Sequence, residues 1–260
     1  MNVRYVLSIF FMMITLVTSI TENAQSAGNA QSVENAHSAG NAAGAGEIKP
    51  EGVLSADSPA WVASLGDEKE ATQLLVVAAT GQTTALISMH EKDENGNWRE
   101  ILSTSGYIGK KGLGKTIEGD EKTPQGTFHF NAAFGIAKDP GCTIPYHQVT
   151  KDDYWSGDPR DGYAYNQLVS IKDYPGLDVK NKNTEHIIDV KTEYQYCLNI
   201  SYNEECVPRV GGAIFLHCTG KKTHTGGCVA IPKDDMVKVM RSVKEDCVVV
   251  IDSLKTLSPP

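Results

Sequence analysis

The sequence has few cysteines, no excess of positive charge and no apolar run of full membrane-spanning length. Six cysteines in 260 residues are too few for a disulfide scaffold, though enough for one or two bridges plus a free thiol. The net charge is −8, from 24 Lys and Arg against 32 Asp and Glu. That balance argues against a general nucleic-acid binder, which wants a basic face. The apolar stretch from Tyr5 to Ile20 is softened by Ser and Thr and falls short of the roughly 20 residues a membrane helix needs. With 40% hydrophobic and 22% charged residues, the chain is neither wholly disordered, nor collagen-like, nor a polytopic membrane protein. Its length fits one domain, or one domain plus a tail.

Residues 1–24 read as an export signal. Arg4 supplies the positive charge, the apolar run follows, and Ser19 or Ala24 offers a cleavage point. An uncleaved N-terminal anchor is the alternative, and either one places the rest of the chain outside the cytoplasm. Residues 23–46 are a six-residue repeat: NAQSAG, NAQSVE, NAHSAG, NAAGAG. Residues this small and polar cannot offset the entropy of ordering. A flexible spacer is therefore expected over 25–52, followed by a folded domain over 53–255.

Within that domain the pattern is mostly short strands. Ser58 and Pro59 open a short helix over Ala60 to Leu65. Strands follow over 73–80 and 83–91, hairpin-like about Gly81 and Gln82, with a third over 97–104 after the Asn95-Gly96 turn. Residues 105–127 are a glycine-rich loop closed at Pro124 and Gly126, without the spacing of a phosphate loop. Residues 131–192 are irregular and rich in aromatics, a loop length that points to function. Strands are expected over 193–203, 211–218 and 247–252, and a helix over 232–246. The domain is mainly β, with one late helix on a sheet.

Chemistry concentrates in 211–232, GGAIFLHCTGKKTHTGGCVAIP. An apolar strand delivers His217, and two glycines precede Cys228. A thiolate is a nucleophile, a neighbouring imidazole can take its proton, and glycines let backbone N–H groups converge on an oxyanion. Two other readings use the same residues. Cys228 could be half of a disulfide, or His217, Cys218, His224 and Cys228 could hold zinc. Zinc is awkward because neighbours on a strand point to opposite faces.

The stretch resembles the active-site motif of the L,D-transpeptidase (YkuD-type) catalytic domain family, in the branch with T-x-G-C in place of S-H-G-C. Here it reads Ile214-Phe215-Leu216-His217 … Thr225-Gly226-Gly227-Cys228-Val229-Ala230. Upstream, Gly119 to Phe128 (GDEKTPQGTF) is similar to the family's D-G-x-T-P-x-G-x-F segment, and Pro145-Tyr146-His147, Tyr154-Trp155 and Tyr165-Asn166 match as well. The likeness covers about residues 72–252. Gly226 stands where better-known members carry His, and the interval from His217 to Cys228 is short.

The resemblance implies a β-sandwich of mixed sheets with one late helix, and a role in peptidoglycan, cell-wall biogenesis and cell shape. Cys228 would attack a stem peptide and release its terminal D-amino acid. The thioester would pass to an amine of a second stem, forming an L,D cross-link, or to water, as in a carboxypeptidase. His217 would act as base, steadied by the backbone carbonyl of Cys218, and would lower the thiol pKa below its free value of about 8.5. Backbone N–H groups at Gly226, Gly227 and Cys228 would hold the oxyanion. Tyr146, Trp155, Tyr165, Asn166, His224 and Thr225 are candidates for contacting substrate. No metal or organic cofactor is implied. The partners are donor and acceptor stems, with no nucleic acid and no stable membrane span after signal cleavage. The expected location is extracellular, in the cell wall or in the periplasm. A non-catalytic exported wall-binding module is the rival reading. Cys142, Cys197 and Cys206 are open to pairing, and His90, His129 and His186 read as structural.

Overall fold

The computed structural model describes residues 56–259. The export-signal and spacer readings lie outside those residues. Among the described residues, no helix is long and apolar enough to cross a membrane.

A two-residue strand, β1 (Ala56–Asp57), leads into α1 (Ala60–Glu68), which Pro59 caps. The expected meander follows as β2 (Gln73–Ala79), β3 (Thr84–Lys92) and β4 (Trp98–Tyr107), each antiparallel to the next. After the glycine-rich loop come β5 (Gly126–Gly135) and β6 (Tyr146–Gln148), which pair in parallel. Short strands β7 (Asp153–Trp155), β8 (Leu168–Ser170) and β9 (Glu185–His186) form a separate three-stranded sheet within the stretch read as irregular. The chain ends with β10 (Cys197–Ile200), β11 (Phe215–Cys218), β12 (Val229–Ile231), α2 (Lys233–Ser242), β13 (Val248–Ser253) and α3 (Leu254–Leu257).

The main sheet runs β1-β4-β12-β11-β10-β5-β13-β2-β3, and β3 also pairs with β4, so the order closes on itself. It is mixed: β11–β12 and β13–β2 are parallel, while the other neighbours on that path are antiparallel. The fold is mainly β with one well-formed late helix, as the L,D-transpeptidase-like reading requires. β2 is buried along nearly all of its length, which explains its unbroken apolar run. The wrapped sheet encloses a core that takes Leu75, Ile87, Phe130, Leu198, Leu216 and Val249 from six strands, and α2 adds Met236, Val239 and Met240.

A second apolar cluster joins the main sheet to the small one. Trp155 of β7 stacks on Phe134 of β5 at 5.7 Å and meets Phe215 of β11 edge-on at 4.7 Å. Tyr194 meets Phe215 edge-on at 5.6 Å. These offset and edge geometries suit ring quadrupoles. They seat the small sheet over the end of β11, where Cys228 belongs to the same cluster.

Three elements are shorter than their sequence patterns suggest. The strand read over 193–203 begins as a 3-10 turn at Glu193–Gln195, because Tyr194 leaves extended geometry (φ −97°, ψ 30°). The strand read from 211 starts only at Phe215, because Gly211 (φ 101°) and Ala213 (φ 53°) are left-handed. Helix α2 stops at Ser242, since Val243 turns extended and buries its side chain. Pro232 precedes α2 as its cap rather than occupying its first turn.

Candidate active site

β11 and β12 lie parallel, with Leu216 opposite Val229 and His217 opposite Ala230. Parallel neighbours place His217 and Cys228, which immediately precedes β12, in the wall of one cavity of about 420 Å³. The His217 side chain is nearly excluded from solvent, at 6% exposure. Its Nδ1 lies 2.8 Å from the carbonyl oxygen of Cys218. A carbonyl can only accept, so Nδ1 carries the proton and Nε2 keeps its lone pair. The ring meets Tyr194 edge-on at 5.4 Å. Burial pushes its pKa down, against the opposing pull of the Cys218 carbonyl and Glu193, so the imidazole rests neutral.

Cys228 is 8% exposed. Its thiol donates to the carbonyl of Ala213 at 3.1 Å, and its sulfur accepts the Phe215 N–H at 3.4 Å. Burial, with Glu185 adding to it, pushes the thiol up to about 12, while Phe215 N–H and Lys115 pull the other way. The expected thiol below about 8.5 is therefore corrected. A buried sulfur resists charging, and its neutral histidine supplies no counter-charge.

The loop before the nucleophile is held by two threonines. Thr225 Oγ1 accepts the Gly227 N–H at 3.1 Å and donates to the Cys228 carbonyl at 2.7 Å. Thr123 Oγ1 donates to the Gly227 carbonyl at 2.7 Å. Gly227 sits at φ +147°, and a Cβ there would lie 2.8 Å from the Lys122 carbonyl oxygen, so only glycine fits. The Gly227 N–H, one of the expected oxyanion donors, faces Thr225 Oγ1. Among the described residues, the N–H groups of Gly226 and Cys228 have no hydrogen-bond partner.

A model of the YkuD L,D-transpeptidase catalytic domain matches residues 74–251 of this chain. The chain belongs to the L,D-transpeptidase catalytic-domain family. Among solved structures it is similar to the helical cell shape determining protein Pgp2 of Campylobacter jejuni, at 15% identity and a TM-score of 0.39, over 74% of this chain and 54% of that one. It is also similar to an L,D-transpeptidase of Mycobacterium smegmatis, at 11% identity and a TM-score of 0.34, over 70% of this chain and 59% of that one. The chain thus spans just over half the length of each. No curated protein sequence matches it.

In this L,D-transpeptidase domain, Trp155, Tyr165, Asn166, His224 and Thr225 line the cavity. Tyr146 does not: β6 carries it beside β5, where it packs on the main core and donates to the Ala137 carbonyl at 2.9 Å. Asn166 is present but fully engaged. Its Oδ1 accepts from Trp155 Nε1 at 3.0 Å and from Ala213 N–H at 2.9 Å, and its Nδ2 donates to the carbonyls of Tyr202 and Asn203 at 3.1 and 2.9 Å. It brackets the segment whose carbonyl receives the Cys228 thiol.

The zinc grouping is split by the strand. Cys218 points into the main core while His217 faces the cavity. Among the described residues, no three His, Cys, Asp or Glu side chains gather as a metal site. All six cysteines are unbonded, so neither Cys228 nor Cys142, Cys197 or Cys206 is bridged. His90, His129 and His186 sit outside the cavity, bonded to Ser58 and Ser88, to Glu204, and to Asp189 and the Lys151 carbonyl.

Sequence reasoning missed Lys115, Glu185, Glu193 and Tyr194, which also line the cavity. Tyr194 Oη donates to Glu185 Oε2 at 2.5 Å. Burial raises the Glu185 pKa, with that bond opposing. Glu193 and Tyr194 fall in the stretch read as a strand, where alternation says nothing of a cavity, and Glu185 falls in the stretch read as irregular. Only Lys115, inside the glycine-rich loop, sits next to a recognisable motif.

Proposed function

We propose that this chain is an exported cysteine acyltransferase acting on peptidoglycan stem peptides. The observation that carries the reading is that His217 and Cys228 line one cavity, with His217 Nδ1 held on the Cys218 carbonyl so that Nε2 keeps its lone pair. Both groups rest neutral, so His217 takes the thiol proton as sulfur attacks the stem carbonyl. The sulfur–carbon bond forms, and the carbonyl electrons move onto oxygen. The oxyanion is received by the N–H groups of Gly226 and Cys228. Collapse expels the terminal D-amino acid, whose amine takes the proton back from His217. A side-chain amine of a second stem then displaces sulfur, forming the L,D cross-link and restoring the thiol.

Export is inferred from Arg4 and the apolar run that follows, and fractionation of the native host should place the protein outside the cytoplasm. The activity is tested by incubating purified protein with muropeptides and reading their masses. Cross-linked dimers are expected. Shortened monomers alone would make water the acceptor and the enzyme an L,D-carboxypeptidase. Unchanged muropeptides alongside an inert Cys228 would favour the wall-binding module instead.

A further inference from the structure

The glycine-rich loop places an ammonium group in the cavity wall. The Lys115 side chain is 4% exposed, and water covers it no better than it covers the core. Its Nζ donates to Asp120 Oδ1 at 3.0 Å and to the Ile117 carbonyl at 3.2 Å. Asp120 is shared: its carboxylate also accepts backbone N–H groups from Thr116, Ile117 and Lys122 at 2.8, 3.2 and 3.1 Å. An ammonium has three donors, and among the described residues the third has no acceptor.

Gly211 packs closely on this side chain: a Cβ there would lie 2.8 Å from Lys115 Cε and 3.1 Å from Nζ, so a side chain would press on the ammonium. Glu118, another charged residue of this wall, accepts from Tyr165 Oη at 3.1 Å, and Tyr165 Oη in turn accepts the Gly211 N–H at 3.2 Å. The ammonium is paired with Asp120, and its remaining donor can serve a second carboxylate brought into the cavity that Lys115 lines.

We infer that Lys115 is a carboxylate-binding residue of the cavity, and that its ligand is the free carboxylate of the donor's leaving terminal residue. The assignment of the ligand rests on the acyl-transfer reading above. It makes the enzyme exo-acting: only a residue ending in a carboxylate is brought to Cys228, and internal bonds of a longer peptide are passed over.

Two measurements test this. The first compares alkylation of Cys228 by iodoacetate and by neutral iodoacetamide, taking the rate ratio so that any change in the thiol itself cancels. Lys115→Met should lower the iodoacetate-to-iodoacetamide ratio by about 10- to 100-fold, the range of one charge-assisted hydrogen bond. Because Lys115→Met leaves Asp120 unpaired, the Lys115→Met, Asp120→Asn double variant is run beside it and should give the same ratio. An unchanged ratio in both variants would overturn the carboxylate site. The second compares stem donors ending in a free carboxylate and in an amide. The native enzyme should acylate about 10- to 100-fold faster from the free acid, and Lys115→Met should erase that preference. Equal rates from the two donors in the native enzyme would overturn the ligand assignment. No acyl-enzyme from either donor, with the iodoacetate preference intact, would overturn the acyl-transfer reading and that ligand together, while supporting the carboxylate site itself.

Discussion

The Thr123 hydroxyl donates to the carbonyl of Gly227 at 2.7 Å, across 104 residues of sequence. Thr123 is fully buried, and its oxygen also accepts the Gly109 N–H at 2.8 Å. One hydroxyl thus ties the glycine-rich loop to the loop that presents the nucleophile. The threonine of the GDEKTPQGTF segment and the T-x-G-C segment appear in one sequence because they make one structure.

Thr123→Val should therefore damage both stability and the site. It keeps the shape but strands the Gly109 N–H and the Gly227 carbonyl, at about 1–3 kcal/mol for each buried group left unpaired. Denaturant unfolding should report a loss in that range. Cys228 alkylation should slow even at temperatures where the variant is fully folded. Native alkylation kinetics in a folded variant would place Thr123 outside the positioning of the nucleophile.

His217, and not His224, is expected to be the base. His217 is fixed at the end of a buried strand, with Nδ1 bonded to Cys218. His224 lines the same cavity, but it sits in a polar loop beside the exposed Lys221, Lys222 and Thr223. His217→Ala should slow acylation by about 10²–10⁴-fold, the usual contribution of a general base, and His224→Ala should do much less. A larger loss on removing His224 would reverse the assignment.

The thiol is expected to titrate high. Burial raises the Cys228 pKa to about 12 and lowers that of His217, so no resting thiolate–imidazolium pair forms. The rate of iodoacetamide alkylation should keep rising through pH 9 without a plateau. A plateau below pH 8 would mean that a thiolate is already formed at rest.

Stability should form a broad plateau bounded by buried neutral groups. His90 is fully buried between Ser58 and Ser88, and burial lowers its pKa from 6.5 to about 4. A depressed base contributes stability that is present above the unfolded pKa and lost as pH falls below it. For Cys228 the sign is opposite: its contribution is present below about 8.5 and is lost as pH rises toward the folded value. Between pH 6.5 and pH 4 the His90 term alone should remove on the order of 3 kcal/mol. His90→Gln should flatten the acid limb of a thermal-unfolding pH series, and an unchanged limb would contradict this.

Much of the fold was legible because apolar period and turn chemistry act locally. The meander from β2 to β4, the buried β11 and β13, and the amphipathic α2 all follow from their own residues. That His217 and Cys228 come to one cavity was legible for the same reason, both lying in one stretch of sequence. What escaped is long-range. Glu185 and Tyr194 reach the cavity only because Trp155, Phe134 and Phe215 seat the small sheet there, and no periodicity encodes that contact. Tyr146 lies outside the cavity for the same reason, since an aromatic reads alike whether it meets a ligand or a neighbouring backbone. Spacing likewise says nothing of burial, which raises the Cys228 thiol.

Intact-protein mass spectrometry tests the central claim most directly. Protein incubated briefly with a stem-peptide donor and quenched in acid should gain one adduct, equal in mass to the donor minus its terminal D-amino acid. Peptide mapping should place that adduct on Cys228. The adduct should vanish in Cys228→Ala and form far more slowly in His217→Ala. An unchanged mass across a range of donors, or an adduct on any other residue, would contradict the assignment of Cys228 as the acyl-carrying nucleophile.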